Sequence, residues 1–252
     1  VKPIDEKPAV ERMMAMDIGE KYKAEIKSIV RACRRLGELG YVTSSGGNLS
    51  VRVEENLMLI TPTKTLKRTM KLNDICAVQL NGEIAFEPKW KKPTGEMPFH
   101  IRIMRSRPDV KAIVHAHPPI LTGFAIAHSD LLSKPFLPEP AIEVGPILNV
   151  EYAAPLSEEL SENFDKVIKH SNGFLMENHG ALICSSVNVE EAVEQLQMME
   201  EMARSVLVAK CLGKAEMIPD DELTKLDSVL ETRGLKIPGY GYGGLRELYK
   251  QE

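Results

Sequence analysis

At 252 residues with a net charge of −4, the chain can build one substantial core and has no general attraction for nucleic acid or an anionic membrane. Hydrophobic residues make up 43% and charged residues 27%, an ordinary globular balance, and no apolar run approaches the ~18 residues that span a bilayer. The opening Val-Lys-Pro-Ile-Asp-Glu-Lys-Pro lacks a signal-peptide apolar core, and Cys33, Cys76, Cys184 and Cys211 are scattered without a Cys-x-x-Cys; buried thiols in a cytoplasmic protein are expected.

Residues 1–18 read as a charged N-terminal extension. From 21 to 39, Tyr22, Ile26, Ile29, Val30, Cys33 and Leu36 form a helical stripe that stops at Gly40. Short strands are predicted at 49–53, 57–61 and 75–80. The turn Asn81-Gly82 then returns the chain through 83–86. A helix follows at 94–105, with Thr94 as its N-cap. An apolar strand at 110–116 leads into Pro118-Pro119, which suits the first turn of a helix over 120–127. Strands at 142–150 and 173–176 flank a helix at 157–170 capped by Ser157. Asn188 caps a long Met- and Leu-rich helix at 189–212, which suits helix packing or a subunit face. A last helix spans 220–232, and residues 236–252, with their run of glycines and tyrosines, read as a mobile tail. With no repeat or linker in view, 1–252 is read as one α/β domain.

Within this frame His115 and His117 stand out at the end of an apolar strand. Side chains alternate along a strand, so a His-x-His presents both imidazoles to one face. His179, in the turn Glu177-Asn178-His179-Gly180, would complete a three-histidine metal site if brought alongside. Three further segments accompany them. Ser44-Ser45-Gly46-Gly47-Asn48 can form an anion nest before a strand. Thr61-Pro62-Thr63-Lys64 offers hydroxyls and a cation that suit a phosphate or carboxylate, although an isolated lysine is usually solvated. In Lys92-Pro93-Thr94-Gly95-Glu96, Glu96 by itself would only serve the helix dipole. His100, one turn on, suits a packed or supporting role. His128 and His170 are assigned to no site.

Taken in order, Gly-Gly-Asn-Leu-Ser, Ile-Thr-Pro-Thr, Lys-Pro-Thr-Gly-Glu with His100, Arg-Pro-Asp-Val-Lys-Ala-Ile-Val-His-Ala-His and Glu-Asn-His-Gly-Ala-Leu resemble the class II aldolase/adducin family over about residues 22–212. By motif, the nearest activity within it is that of the L-fuculose-1-phosphate aldolases. The resemblance implies a three-layer α/β/α sandwich around a largely antiparallel sheet, assembled as a homotetramer. It implies Zn²⁺ (Mn²⁺, Co²⁺ and Fe²⁺ suit the same donors) on His115, His117 and His179, with Glu96 as general acid/base. It also implies phosphate recognition by Ser45, Gly47, Asn48, Thr63 and Thr94, with Lys64 beside them. The implied reaction makes or breaks a short sugar phosphate or related hydroxy-ketone through a metal-stabilised enediolate.

Three positions depart from the family pattern. Lys64 replaces a glycine, Gly95 replaces a serine, and the aldolases' tyrosine has no match near 135–140; Tyr240 or Tyr242 of a neighbouring tail could serve instead. A decarboxylase acting on a keto acid is therefore the alternative. A 4-epimerase fits less well, because those members carry aspartate at the position of Glu96. A non-catalytic adducin-like module fits poorly with a complete histidine set.

Overall fold

The computed structural model describes residues 18–250; the rest of the expected N-terminal extension and the last two residues of the tail lie outside the described residues. Helix α1 (Lys23–Glu38) buries the predicted stripe, and β1 (Asn48–Glu54) and β2 (Leu57–Ile60) follow as an antiparallel pair. Next come β3 (Cys76–Gln79), β4 (Ile84–Phe86), α2 (Met97–Ser106), β5 (Ala112–Ala116) and α3 (Pro119–Ile126). The chain continues through α4 (Pro138–Glu143), β6 (Leu148–Val150), α5 (Glu158–Asn163), β7 (Gly173–Met176) and β8 (Gly180–Ser185). It ends with α6 (Val189–Leu212), α7 (Asp220–Arg233) and α8 (Leu245–Leu248).

The strands form one sheet in the order β4-β3-β2-β1-β5-β8-β7-β6, antiparallel except between β6 and β7. Alternation along each strand divides the core in two. Leu49, Leu59, Val114 and Ile183 face α1 and α6; Met58, Ile60, Ile113 and Leu182 face α2 and α5. The three-layer α/β/α sandwich follows directly from that division. No helix among the described residues is long and apolar enough to cross a membrane.

The central strand β8 and the short helices α4 and α8 were not expected, and two of the expected elements break up. The segment 142–150 is not one strand: Pro138 starts α4, Gly145 turns with φ 86°, and only Leu148–Val150 pairs with β7. Proline at a first helical position is pre-organised for a helix, and that local effect outweighs the apolar run. The helix expected over 157–170 keeps its Ser157 cap but ends at Asn163 and tightens into a short 3₁₀ turn. Cys33, Cys76 and Cys184 are buried as expected, whereas Cys211 is exposed.

The sheet end that carries the histidines is braced by Glu200 on α6. Helix α3 starts at Pro118-Pro119, which bring no N–H, and the Thr122 N–H reaches Pro118 O. The two remaining orphan donors of the first turn, Ile120 N and Leu121 N, donate to Glu200 Oε1 and Oε2 at 2.9 and 2.8 Å. Glu200 is itself buried. Glu200→Ala is expected to cost roughly 2–4 kcal/mol, because one buried and one half-buried N–H lose their acceptors. Urea unfolding of that variant checks it; a loss below about 1 kcal/mol would show that another acceptor takes over.

Candidate active site

Strand β5 carries His115 on the face shared with Ile113, toward α2, where Phe99 meets its ring edge-on. Register places Asn48 of β1 opposite His115 on one side and Leu182 of β8 on the other. His117 lies just beyond the strand, its N–H held by Tyr41 O at 2.8 Å. His179 sits in the β7–β8 turn, where Asn178 takes the left-handed φ of 54° that asparagine tolerates. Gly180 is required there: a Cβ would stand 2.5 Å from the His117 ring and 2.6 Å from Ala116 O. Gly47, at φ 71°, is required likewise, since a Cβ would stand 2.8 Å from His115 O.

These constraints bring the three rings together, with one ligand atom of each within 4.8 Å of the others. His115 Nδ1 donates to Ala181 O at 2.9 Å, which leaves the Nε2 lone pair facing the cluster. His117 Nε2 lies 3.2 Å from that Nε2, close to the spacing of about 3.3 Å between two nitrogens sharing a tetrahedral ion. Two imidazole lone pairs pointed at one another repel unless a cation or proton lies between them. Burial, reinforced by His117 and His179, holds His115 well below the ordinary imidazole range. Burial, then His179 and Lys67, brings His117 to about 4. Both rings are thus neutral near pH 7, the protonation state a metal requires. The donor set fits a divalent metal ion.

Glu96 closes the cluster. Its Oε1 lies 3.4 Å from His179 Nε2, and its Oε2 lies 3.6 Å from His115 Nε2. Here the helix start differs from the expectation: Glu96, not Thr94, is the N-cap residue of α2, and its carboxylate makes no capping bond. Thr94 Oγ1 instead accepts the Glu96 N–H at 3.3 Å. The carboxylate is therefore free to face the histidines. Its partner is Asn48, whose Nδ2 donates to Oε2 at 2.6 Å.

That bond fixes a chain of donors. With Asn48 Nδ2 committed to Glu96, Asn48 Oδ1 accepts from His100 Nε2 at 2.5 Å. His100 Nδ1 then accepts from the Ser50 hydroxyl at 2.7 Å. His100 is fully buried and stacked on Phe99, and burial lowers it to about 3. Its folded pKa lies below the unfolded value of about 6.5, so the unfolded chain takes up the proton first as pH falls. Stability contributed by neutral His100 is accordingly lost from about pH 6.5 down toward 3, by about 2 kcal/mol at pH 5 relative to pH 7. Urea midpoints of metal-free protein at the two pH values should fall further for the parent than for His100→Gln; parallel losses would exclude this role.

The three expected phosphate segments meet beside Glu96. Leu49 and Thr61 exchange hydrogen bonds, Leu49 N to Thr61 Oγ1 at 3.1 Å and Thr61 N to Leu49 O at 3.0 Å. Thr63 N donates to Lys92 O and Thr94 N to Thr61 O, joined by a Pro62–Pro93 bridge. Ser45, Gly47, Thr63 and Thr94 thus lie on adjoining loops, with Asn48 at the start of β1. Lys64 is exposed, with φ 51°, a left-handed conformation that explains why glycine is usual there. Gly95 lies beside the exposed Leu156, whose methyl a Cβ would meet at 2.9 Å.

Tyr240 and Tyr242 lie elsewhere in this chain. Tyr240 covers the Arg107 guanidinium and Tyr242 hydrogen-bonds His170, before the first residues of β5 and β7 and so at the opposite sheet end from His115 and His179. The tail expected to be mobile is packed, with Leu245 and Leu248 buried against Ile142 and Leu230. Lys67, unremarked in the sequence, is buried beside the Ser45 loop; only its burial marks it out.

Residues 27–207 match the Class II Aldolase and Adducin N-terminal domain. The chain belongs to the class II aldolase/adducin family. An L-fuculose phosphate aldolase of Methanococcus maripaludis is 33% identical over 71% of this chain and 94% of its own length. A 3-oxo-tetronate 4-phosphate decarboxylase of Pectobacterium atrosepticum is 32% identical over 74% of this chain and 85% of its own. The solved structure of an L-fuculose 1-phosphate aldolase superposes with a TM-score of 0.74 at 27% identity, covering 82% of this chain and 96% of that one. Both relatives are named as lyases of phosphorylated substrates, which agrees with lyase activity in this member of the family. Its histidine cluster agrees with the divalent metal typical of class II aldolases.

Proposed function

We propose that this family member is a metal-dependent aldolase that makes or breaks a carbon–carbon bond in a short sugar phosphate or related hydroxy-ketone. The observation that carries the reading is the convergence of His115, His117 and His179 on a carboxylate, Glu96, that another side chain already orients. In this reading the three histidines hold the metal. Zn²⁺ suits three imidazoles best, and Mn²⁺, Co²⁺ and Fe²⁺ suit them too. A bound metal supplies a Lewis acid that draws electron density from the substrate carbonyl. Glu96 transfers the proton at the adjacent carbon. Asn48 holds Oε2, so Oε1 is the oxygen that takes and returns the proton. Ser45, Gly47, Asn48, Thr63 and Thr94 receive the phosphate, with the exposed Lys64 next to Thr63 in the same loop. A cytoplasmic homotetramer belongs to the same proposal, supported by Leu207, Val208 and Leu212 exposed along the end of α6.

The second reading is a decarboxylase of a phosphorylated keto acid, favoured by the decarboxylase relative and by Gly95, which brings no hydroxyl to the pocket. Here Glu96 only returns a proton to carbon after CO₂ leaves. Two assays on metal-loaded protein separate the readings. Exchange of a C3 hydroxymethyl proton of dihydroxyacetone phosphate in D₂O supports the aldolase. CO₂ release from 3-oxo-tetronate 4-phosphate without that exchange supports the decarboxylase. Neither activity, with metal bound, would overturn both.

A further inference from the structure

We infer that Lys67 is the buried cation that gives the substrate pocket its preference for an anionic ligand, the phosphate of the reading above, on which this inference rests. Lys67 follows the Thr63–Thr65 loop in a short 3₁₀ turn and is 1% exposed. Its ammonium donates to two main-chain carbonyls only, Ser45 O and Thr65 O, each at 3.2 Å. These belong to two of the three loops that frame the pocket, and Lys91 reaches the same Thr65 through its hydroxyl at 2.9 Å. Among the described residues no carboxylate lies within ion-pair distance of Lys67.

Burying an ammonium with no counter-ion is costly, so buried charges are ordinarily paired. A third N–H without a partner makes the arrangement costlier still. Burial, the largest effect, opposes the charged form of Lys67, while Cys33 and then Glu96 favour it. Lys64, the cation expected from the sequence, is exposed three residues away, where water screens it. A phosphate seated among Ser45, Thr63 and Thr94 would supply the missing countercharge in a poorly screened setting. The alternative role, a clamp joining two loops, uses the same carbonyl bonds and needs no charge.

Lys67→Gln separates the two, because its amide keeps two donors for the carbonyls and removes the charge. Titration of metal-loaded, full-length protein with inorganic phosphate should show Kd rising roughly 10–50-fold in Lys67→Gln, the size expected on losing one poorly screened opposite charge. In the exchange assay, KM for dihydroxyacetone phosphate should rise by a similar factor, and KM for uncharged dihydroxyacetone should stay within about twofold. Lys67→Met, which also lacks the carbonyl bonds, should match Lys67→Gln in phosphate affinity if charge is what matters. Unchanged phosphate binding in Lys67→Gln would overturn the inference. So would equal losses for both trioses, or a dependence on Lys64 in place of Lys67. If neither triose reacts yet phosphate binding still depends on Lys67, the aldolase reading fails and the anion site stands.

Discussion

Replacing Glu96 with Gln is expected to lower kcat by roughly 10²–10⁴-fold, the usual contribution of a positioned general base. The loss should fall on kcat because the substitution keeps shape and contacts. The glutamine carbonyl can still accept from Asn48 Nδ2, the bond at 2.6 Å that orients the side chain. What disappears is the oxygen able to carry a proton. Metal content and melting temperature should therefore match the parent, since the three imidazoles are untouched. Exchange of dihydroxyacetone phosphate protons in D₂O isolates the step from the aldehyde partner. A variant that exchanges at the parent's rate would remove Glu96 from the chemistry, and attention would pass to another base.

Replacing His117 with Ala should empty the metal centre. The parent is expected to retain about one divalent ion per chain after dialysis, and the variant close to none, because losing a direct ligand exceeds the roughly 10–100-fold penalty of disturbing a supporting hydrogen bond. His117 is partly exposed at the strand end, so its removal should leave the fold standing. Its ring packs against Gly46 and Gly180, two positions with no side chain to collapse with it. His170→Ala, at the opposite end of the sheet, is the comparison and should keep its metal. Metal analysis of the dialysed proteins decides the matter. An ion retained in full by His117→Ala would show that the cluster holds its metal without this ring, or that the ion sits elsewhere.

Much of this arrangement is written in local pattern. Strand alternation alone suggested that His115 and His117 share a face; β5 carries His115, and His117 follows just past its end with the two ring centroids 4.9 Å apart. Asn81-Gly82 marked a hairpin that forms between β3 and β4. Ser157 and Asn188 marked helix starts, and both side chains accept from the third residue onward, at Leu160 N and Glu191 N. Such signals are legible because each depends on a few neighbouring residues. The helix start at Glu96 was misplaced by two residues for the same reason. Thr94 has the chemistry of a cap, and only the neighbouring strand, with Asn48 opposite His115, gives the glutamate a different partner.

Sequence alone determined the family and the α/β class and singled out three histidines and a glutamate as candidates, because those residue types in that order have few other uses. Tertiary structure decided what each does beside its neighbours. It joined Ser50, His100 and Asn48 into one line of donors ending at Glu96, packed Tyr240 and Tyr242 away from the histidines, and buried Lys67 while leaving Lys64 in water. Burial and partnership are properties of residues far apart in the chain, and the two lysines have the same side chain. Their difference lies in the surrounding dielectric and countercharge, which the folded chain sets.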